Sequence, residues 1–166
     1  MKETRLYNVM FPIWILWLFP LTWIVVLPAN FIIDLLVVVF AMKYWKMTDI
    51  KVKAKKVIFR VWIMGFVADI IGSLFMFVGN LIDLGNDWIY DKIVAPLCTN
   101  PFESIWALLW ATACTALTGF LIYQFNKSWC LKKADLTEEE RKKVAMALAI
   151  FTAPYLFYLP TIWFYN

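Results

Sequence analysis

Asp69 is the residue whose type and position in this sequence suggest chemistry most directly. It lies near the middle of residues 57–82, an apolar stretch long enough to cross a bilayer. A carboxyl group at that depth costs at least ~2.5 kcal/mol, so it must face protein or water rather than lipid. The chain has no histidine to share proton transfer. The sequence therefore predicts a proton or cation site at Asp69, or else a protonated carboxyl group that hydrogen-bonds across helices and serves packing.

Other polar residues accompany Asp69 at three- and four-residue spacing, which places them on shared helix faces. With Asp69, the candidates for an ion or substrate pathway are Asn30, Asp34, Ser73, Asn80 and Asp83. We expect Asp34, Asn80 and Asp83 to be shallow on the outer side. The set then predicts a polar entry from outside that ends deep in the membrane, at Asp69.

Motifs of established enzyme chemistry are absent from the sequence. It has no GxSxG, HExxH or P-loop pattern, and without histidine or a cysteine cluster we predict no metal site and no cofactor. A membrane aspartyl hydrolase using Asp34 and Asp69 is conceivable, but nothing around them favours it. We therefore do not expect an enzyme.

Composition assigns the chain to the membrane. Its 166 residues are 63% hydrophobic and 17% charged, whereas soluble domains are roughly 45–50% apolar and ~25% charged. Lipid must therefore be the solvent for much of the surface. We predict one multi-pass membrane domain over residues 1–166, which is in the cytoplasmic or inner membrane if the source is bacterial.

The fold class predicted is an all-α integral membrane bundle of about five transmembrane segments. The spans expected are 7–27, 30–46, 57–82, 103–125 and 140–164, with a turn at Pro28–Asn30 between the first two. A re-entrant hairpin over residues 7–46 is the alternative. The last helix should start near Glu138, because Thr137 and Glu140 have capping-box spacing. Pro154 and Pro160 should kink it.

The basic residues predict the orientation. All of the 16 Lys and Arg residues except Lys92 fall on one side of the five-span model, which indicates N-terminus in and C-terminus out. One inner loop is especially basic, and each cation near an anionic leaflet contributes ~1 kcal/mol. We expect lipid headgroups, and no nucleic acid, at Lys51, Lys53, Lys55, Lys56 and Arg60.

Small residues repeat every four positions in the fourth span. Such a stripe lets two helices approach closely, either within one chain or between subunits of a homo-oligomer. The residues are Ala107, Ala111, Thr115 and Gly119.

These patterns favour a small, oligomeric transporter or channel with the polar face as its path and Asp69 as its coupling or gating site. One alternative is a non-catalytic sensor or scaffold subunit that docks a cytosolic partner through its basic inner loops. A holin-like membrane effector is another.

Overall fold

The computed structural model describes residues 12–82 and 85–164, except for the side chains of Leu16 and Trp17. In these residues, all of the regular secondary structure is helical. The α-helices are α1 (Trp23–Tyr44), α2 (Ile50–Leu81), α3 (Asp87–Ile89), α4 (Ala95–Thr99), α5 (Ile105–Phe125) and α6 (Glu138–Phe151). Turns of 3-10 helix occupy Ile13–Leu18, Pro20–Thr22, Pro101–Glu103, Leu131–Ala134, Tyr155–Tyr158 and Thr161–Phe164, and π-helical turns occupy Tyr90–Val94 and Asn126–Cys130. The all-α prediction is confirmed for this part of the chain.

Three helical stretches of the described residues are long and apolar enough to cross a membrane. They are Pro20–Tyr44, Ile50–Leu81 and Ile105–Ala134, of 25, 32 and 30 residues. About 20 residues suffice for a bilayer core of ~30 Å. This supports a membrane protein, and the predicted spans 57–82 and 103–125 correspond to α2 and α5.

The predicted turn at Pro28–Asn30 is wrong, because α1 continues through it from Trp23 to Tyr44. A proline inside a helix removes one backbone hydrogen bond, which neighbouring groups in an apolar setting must compensate. The carbonyl left without its donor by Pro28 is that of Ile24, one turn earlier. Nearby, the indole Nε1 of Trp62 in α2 donates to the carbonyl oxygen of Leu27 at 2.8 Å and ties α1 to α2 beside the proline. Spans 7–27 and 30–46 are therefore not separate helices. Residues 13–22 form short 3-10 turns, and residues 1–11 lie outside the described residues.

The start of α6 follows the sequence prediction. Thr137 Oγ1 accepts from the backbone N–H of Glu140 at 3.2 Å, and the Glu140 carboxylate accepts from the N–H of Thr137 at 2.8 Å. This closes the predicted capping box. The first turns of α6 also carry two ion pairs between residues four apart, Glu138–Lys142 and Glu139–Lys143, at 2.9 and 2.6 Å.

The end of α6 differs from the prediction of a helix over 140–164. The helix stops at Phe151, and 3-10 turns follow at Tyr155–Tyr158 and Thr161–Phe164. Proline disfavours helical backbone in the residue before it, so Pro154 ends the helix rather than bending it. The chain then continues without regular α-helix.

Helix α2 lies between α1 and α5, and α6 packs on α1 and α5. One apolar cluster fills the basic end of the bundle, around Met42, Val57 and Leu148. The second fills the opposite end, around Phe66, Met76 and Phe157. Both described chain ends lie at this second end, because the indole N–H of Trp14 donates to the Leu97 carbonyl at 3.1 Å and Ile13 N–H donates to Thr161 Oγ1 at 3.2 Å.

Glycines let α2 approach its neighbours closely. Gly65, Gly72 and Gly79 recur every seven residues. A Cβ on Gly72 would collide with Thr118 Oγ1 of α5, and one on Gly79 would lie 2.7 Å from the indole nitrogen of Trp110. These contacts leave no room for side chains at two of the three positions.

The small-residue stripe of α5 packs inside the chain. Ala107 and Ala111 are fully buried, and Thr115 is nearly so. A Cβ on Gly119 would lie 3.4 Å from the carbonyl oxygen of Ala149 in α6. Of the two roles left open by the sequence, the described contacts favour packing within one subunit.

Gly72→Ala should destabilise the fold by ~1–3 kcal/mol, because the added methyl group overpacks the α2–α5 contact. Gly119→Ala is the matched control, since its Cβ meets an ordinary van der Waals distance. Adding Thr118→Ala to Gly72→Ala should recover part of the loss by removing the hydroxyl. The measurement is thermal unfolding in detergent, and equal melting temperatures for Gly72→Ala and Gly119→Ala would contradict the packing described.

Candidate functional site

Asp34 of α1 and Asp69 of α2 line one cavity of about 270 Å³. Their residues are 5% and 4% exposed. Gly65 lies on the face of α2 that meets α1, since a Cβ there would lie 3.5 Å from Asp34 Oδ2, an ordinary van der Waals distance. Asp69 follows Gly65 by one helical turn on the same face of α2. The packing of this face on α1 thus brings two acidic residues from different helices to one space.

Asp34 lies near the middle of α1, which corrects the prediction that it is shallow. Continuity of α1 through Pro28 places Asp34 about 15 Å from the helix end at Tyr44. Asp69 is about 18 Å from the end of α2 at Leu81 and about 14 Å from Arg60. Both carboxyl groups therefore lie far from the ends of their apolar segments.

Asn30 links the two helices. Asn30 precedes Asp34 by one turn in α1, and its Nδ2 donates to Asp69 Oδ2 at a long distance of 3.5 Å. The other carboxyl oxygen of Asp69, Oδ1, is buried and has no hydrogen-bond partner in the described structure. An unpaired buried polar atom ordinarily costs ~1–3 kcal/mol. The Asp69 side chain therefore has free acceptor capacity in a closed space.

The broken end of α6 forms the opposite wall, with Phe151, Thr152 and Pro154 lining the cavity. The Thr152 backbone N–H and its hydroxyl group both donate to the Leu148 carbonyl, at 2.9 and 2.8 Å. Tyr155 OH donates to the Ile150 carbonyl. A helix C-terminus carries partial negative charge, so this wall adds to the field of the two aspartates.

The polar groups that line the cavity are mainly oxygen atoms that accept hydrogen bonds, and no positive charge accompanies them in the described part of the chain. No Lys or Arg lines it among the described residues. The described residues also contain no group of three or more His, Cys, Asp or Glu side chains able to hold a metal ion. Two carboxyl groups and an amide supply fewer oxygen ligands than the six or more that a divalent ion takes, whereas either carboxyl group alone can hold a proton.

The structure brings together three of the six predicted pathway residues, Asn30, Asp34 and Asp69. Ser73 is fully buried one turn further along α2, but it does not line the cavity, and its Oγ has no partner in the described part of the chain. Asn80 donates to the Met76 carbonyl at 3.3 Å and accepts from Cys98 Sγ at 2.9 Å. Asp83 lies outside the described residues.

Sequence reasoning missed part of the cavity wall. Gly65 carried a usable signal, since it precedes Asp69 by four residues and begins the seven-residue glycine repeat. Pro154 was predicted to kink the last helix, whereas the helix ends before it. Nothing in the local sequence indicates that Pro154, Thr152 and Tyr155 lie beside the carboxyl groups, because this placement depends on how α6 packs against α1.

The predicted headgroup segment lies at the basic end of the bundle. Lys56 forms an ion pair with Asp135 at 2.7 Å, and this hydrogen bond and charge lower the pKa of Asp135. Lys51, Lys55 and Arg60 are exposed, whereas Lys53 is partly buried. An exposed pair contributes little stability, so these cations remain available to lipid headgroups.

No family model matches this chain, and neither the comparison with curated proteins nor that with solved structures gives a match. Function must therefore be argued from the geometry of the site itself.

Asp69→Asn should leave thermal stability in detergent close to that of the wild-type protein, because an amide oxygen still accepts from Asn30. Asp69→Leu should destabilise by ~1–3 kcal/mol, since it leaves the Asn30 amide unpaired. Asp91→Leu, at an exposed position, controls for removing a carboxyl group. If Asp69→Leu unfolds at the same temperature as Asp91→Leu, the Asn30–Asp69 contact contributes nothing.

Proposed function

We propose that this protein is a small multi-pass membrane transporter or channel that binds a proton or a singly charged cation between Asp34 and Asp69. The observation that carries the proposal is the cavity of about 270 Å³ that both carboxyl groups line. One oxygen of Asp69 is unpartnered there, and no basic residue lines the space in the described structure.

Depth supports this proposal. With α1 and α2 crossing the bilayer, both aspartates lie ~14 Å or more from the ends of their apolar segments, near the middle of a ~30 Å core. Ionisable groups at such depth are expensive and usually mark an ion or proton path. The end of α6 adds a second feature of ion sites in membranes, because interrupted helices there offer carbonyl oxygens and a negative dipole end to a cation.

Charge balance gives the site a mechanism. Two ionised carboxylates in one dry cavity repel each other and lose their hydration, so the empty doubly charged state is costly. A proton or cation that enters relieves both costs, whereas its departure restores them. A bound proton or cation therefore favours the conformation in which the cavity is closed, and its absence favours a conformation in which water enters the cavity. This difference couples binding to conformation.

The orientation proposed is the one that basic residues favour, with the α1–α2 and α5–α6 connections inside. Helices α1, α2 and α5 are complete crossings, and α6 with the 3-10 turns after it is an interrupted one. The Trp14–Leu97 and Ile13–Thr161 hydrogen bonds support an outer position for the C-terminal segment. The N-terminus-in prediction depends on Lys2 and Arg5, which lie outside the described residues, so a five-span topology stays a prediction.

Single cysteines introduced at exposed positions test the orientation. In a Cys98→Ser background, Asp91→Cys should react with an impermeant maleimide on intact cells, and Lys132→Cys only after permeabilisation. The native thiols are poor reporters, because Cys114 and Cys130 are buried and burial raises the pKa of Cys98 to about 11. The thiolate that reacts is scarce at neutral pH when the pKa is raised. The opposite labelling pattern would invert the topology.

Flux in liposomes tests the function. Wild-type protein should move protons or a monovalent cation down an imposed gradient between pH 5 and 8, and Asp34→Asn or Asp69→Asn should reduce the rate by tenfold or more, equivalent to ~1.4 kcal/mol. Ser73→Ala is the matched control, since Ser73 is buried on α2 but does not line the cavity. If both asparagine variants match the wild type, or if the wild type gives no flux, the transport proposal fails.

A sensor or scaffold subunit is the second candidate, and the exposed basic side chains of Lys51, Lys55 and Arg60 favour it. They offer a positive surface to an acidic cytosolic partner or to headgroups. Assembly into a homo-oligomer is also a proposal. Helix α1 is the least buried of the three apolar stretches, which makes it the natural face for a second copy.

A further inference from the structure

A second, larger hollow lies beside the carboxylate cavity. It is an apolar groove of about 910 Å³ between α1 and α6. Aromatic side chains form much of its wall, namely Phe40, Tyr44, Trp45, Tyr123 and Phe151. Its volume is that of a typical site for a small organic ligand, which is ~300–1,000 Å³.

The groove and the carboxylate cavity adjoin. Ile33 of α1 and Phe151 of α6 line both of them. One end of a molecule that lies in the groove is therefore next to these two side chains. Asp34 and Asp69 lie on the other side of them, in the carboxylate cavity. Phe151 is the last residue of α6, so the groove and the cavity meet where that helix ends.

From the basic end of the groove to the carboxylate cavity, the lining changes from paired opposite charges to acidic groups alone. At the basic end of the groove, Lys142 and Lys143 are paired with Glu138 and Glu139 at 2.9 and 2.6 Å. Their net contribution is therefore small. At the closed end, the buried and unpartnered Oδ1 of Asp69 faces a cavity without basic residues in the described structure.

We propose that the substrate of this site is a lipophilic cation, an amine or quaternary ammonium with an apolar tail, which enters sideways from the membrane through the α1–α6 groove. This inference rests on the proposed function and names its substrate class. The tail occupies the apolar groove, and the cationic head lies between Asp34 and Asp69. Aromatic rings attract cations through their faces, so the groove wall suits the head during entry. A neutral lipid tail would fill the groove but leave the carboxyl groups without a counter-charge.

Photolabelling in nanodiscs of neutral phosphatidylcholine tests the inference. The probe is a decyltrimethylammonium ion with a diazirine in its chain, and the matched control probe is the alcohol with the same chain. The cation should label residues 33–45 and 142–151 about tenfold more than the alcohol does, since only the cation makes a charge-assisted contact with the carboxyl groups. Asp69→Asn and Asp34→Asn should abolish that preference.

A groove-filling variant separates entry from binding of small ions. Met146 is half exposed and lines the groove but not the cavity. Met146→Trp should reduce labelling by the cationic probe while leaving flux of protons or small cations intact. Leu109→Trp is the control, because Leu109 is exposed on α5 and lines neither space.

The outcomes distinguish the inference from the function on which it rests. Equal labelling by both probes, unchanged in Asp69→Asn, would overturn the lipophilic-cation assignment and make the groove a lipid-tail site, whatever the flux. A dimer that Met146→Trp converts to monomer, measured by native mass spectrometry, would overturn it as well, because the groove would be a subunit interface. Aspartate-dependent labelling without flux of any small ion or of the cationic probe itself would support the binding site and refute transport.

Discussion

Because α2 has no side chain at Gly72 and Gly79, it lies directly against Thr118 and Trp110 of α5. This close approach fixes the position of α2 in the bundle. On its other side Gly65 meets Asp34 of α1, and Asp69, one turn after Gly65, lies in the space that Asp34 also lines. Both aspartates are buried there. In lipid, helices gain little from hydrophobic burial against one another, so small residues and packing carry much of their association.

The two walls of the cavity are held in different ways. The α1–α2 wall rests on close backbone approach and on the Asn30–Asp69 contact between helices. The α6 wall is held by hydrogen bonds within its own last turns, such as those from Thr152 to Leu148, and by the segment that follows. Phe157 is buried beside Gly72 of α2, and Tyr158 OH donates to Thr112 Oγ1 of α5 at 3.1 Å. Movement of this wall would therefore disturb its packing on α2 and α5.

Local features of the structure were predictable from sequence, whereas long-range ones were not. The capping box at Thr137 and Glu140 formed as predicted, because its atoms are three residues apart. Pro28 has an equally local signal for a turn, yet α1 continues through it. There α1 packs on α2, and Trp62, a residue 34 positions away, donates to the Leu27 carbonyl. The error moved Asp34 from the outer boundary to the middle of α1.

The candidate site shows the same division. The polar character of Asn30, Asp34 and Asp69 and their helical spacing were visible in the sequence, since three- and four-residue periods define a helix face. Their convergence was not, because it depends on which face of α2 meets α1. Asn80 fits the same period, yet the structure pairs it with Cys98 of α4 instead.

Among the buried polar atoms without a partner in the described residues, Asp69 Oδ1 is the one that belongs to an acidic group. The hydroxyl groups of Thr115 and Thr118 satisfy themselves locally by donating to carbonyls one turn earlier in α5. A carboxylate cannot do so, because it has no hydrogen to donate. With no Lys or Arg lining its cavity among the described residues, a charged Asp69 would have no counter-charge there. A proton or a bound cation would neutralise it, and this applies to a protonated carboxyl group that serves packing as much as to the proposed ion site.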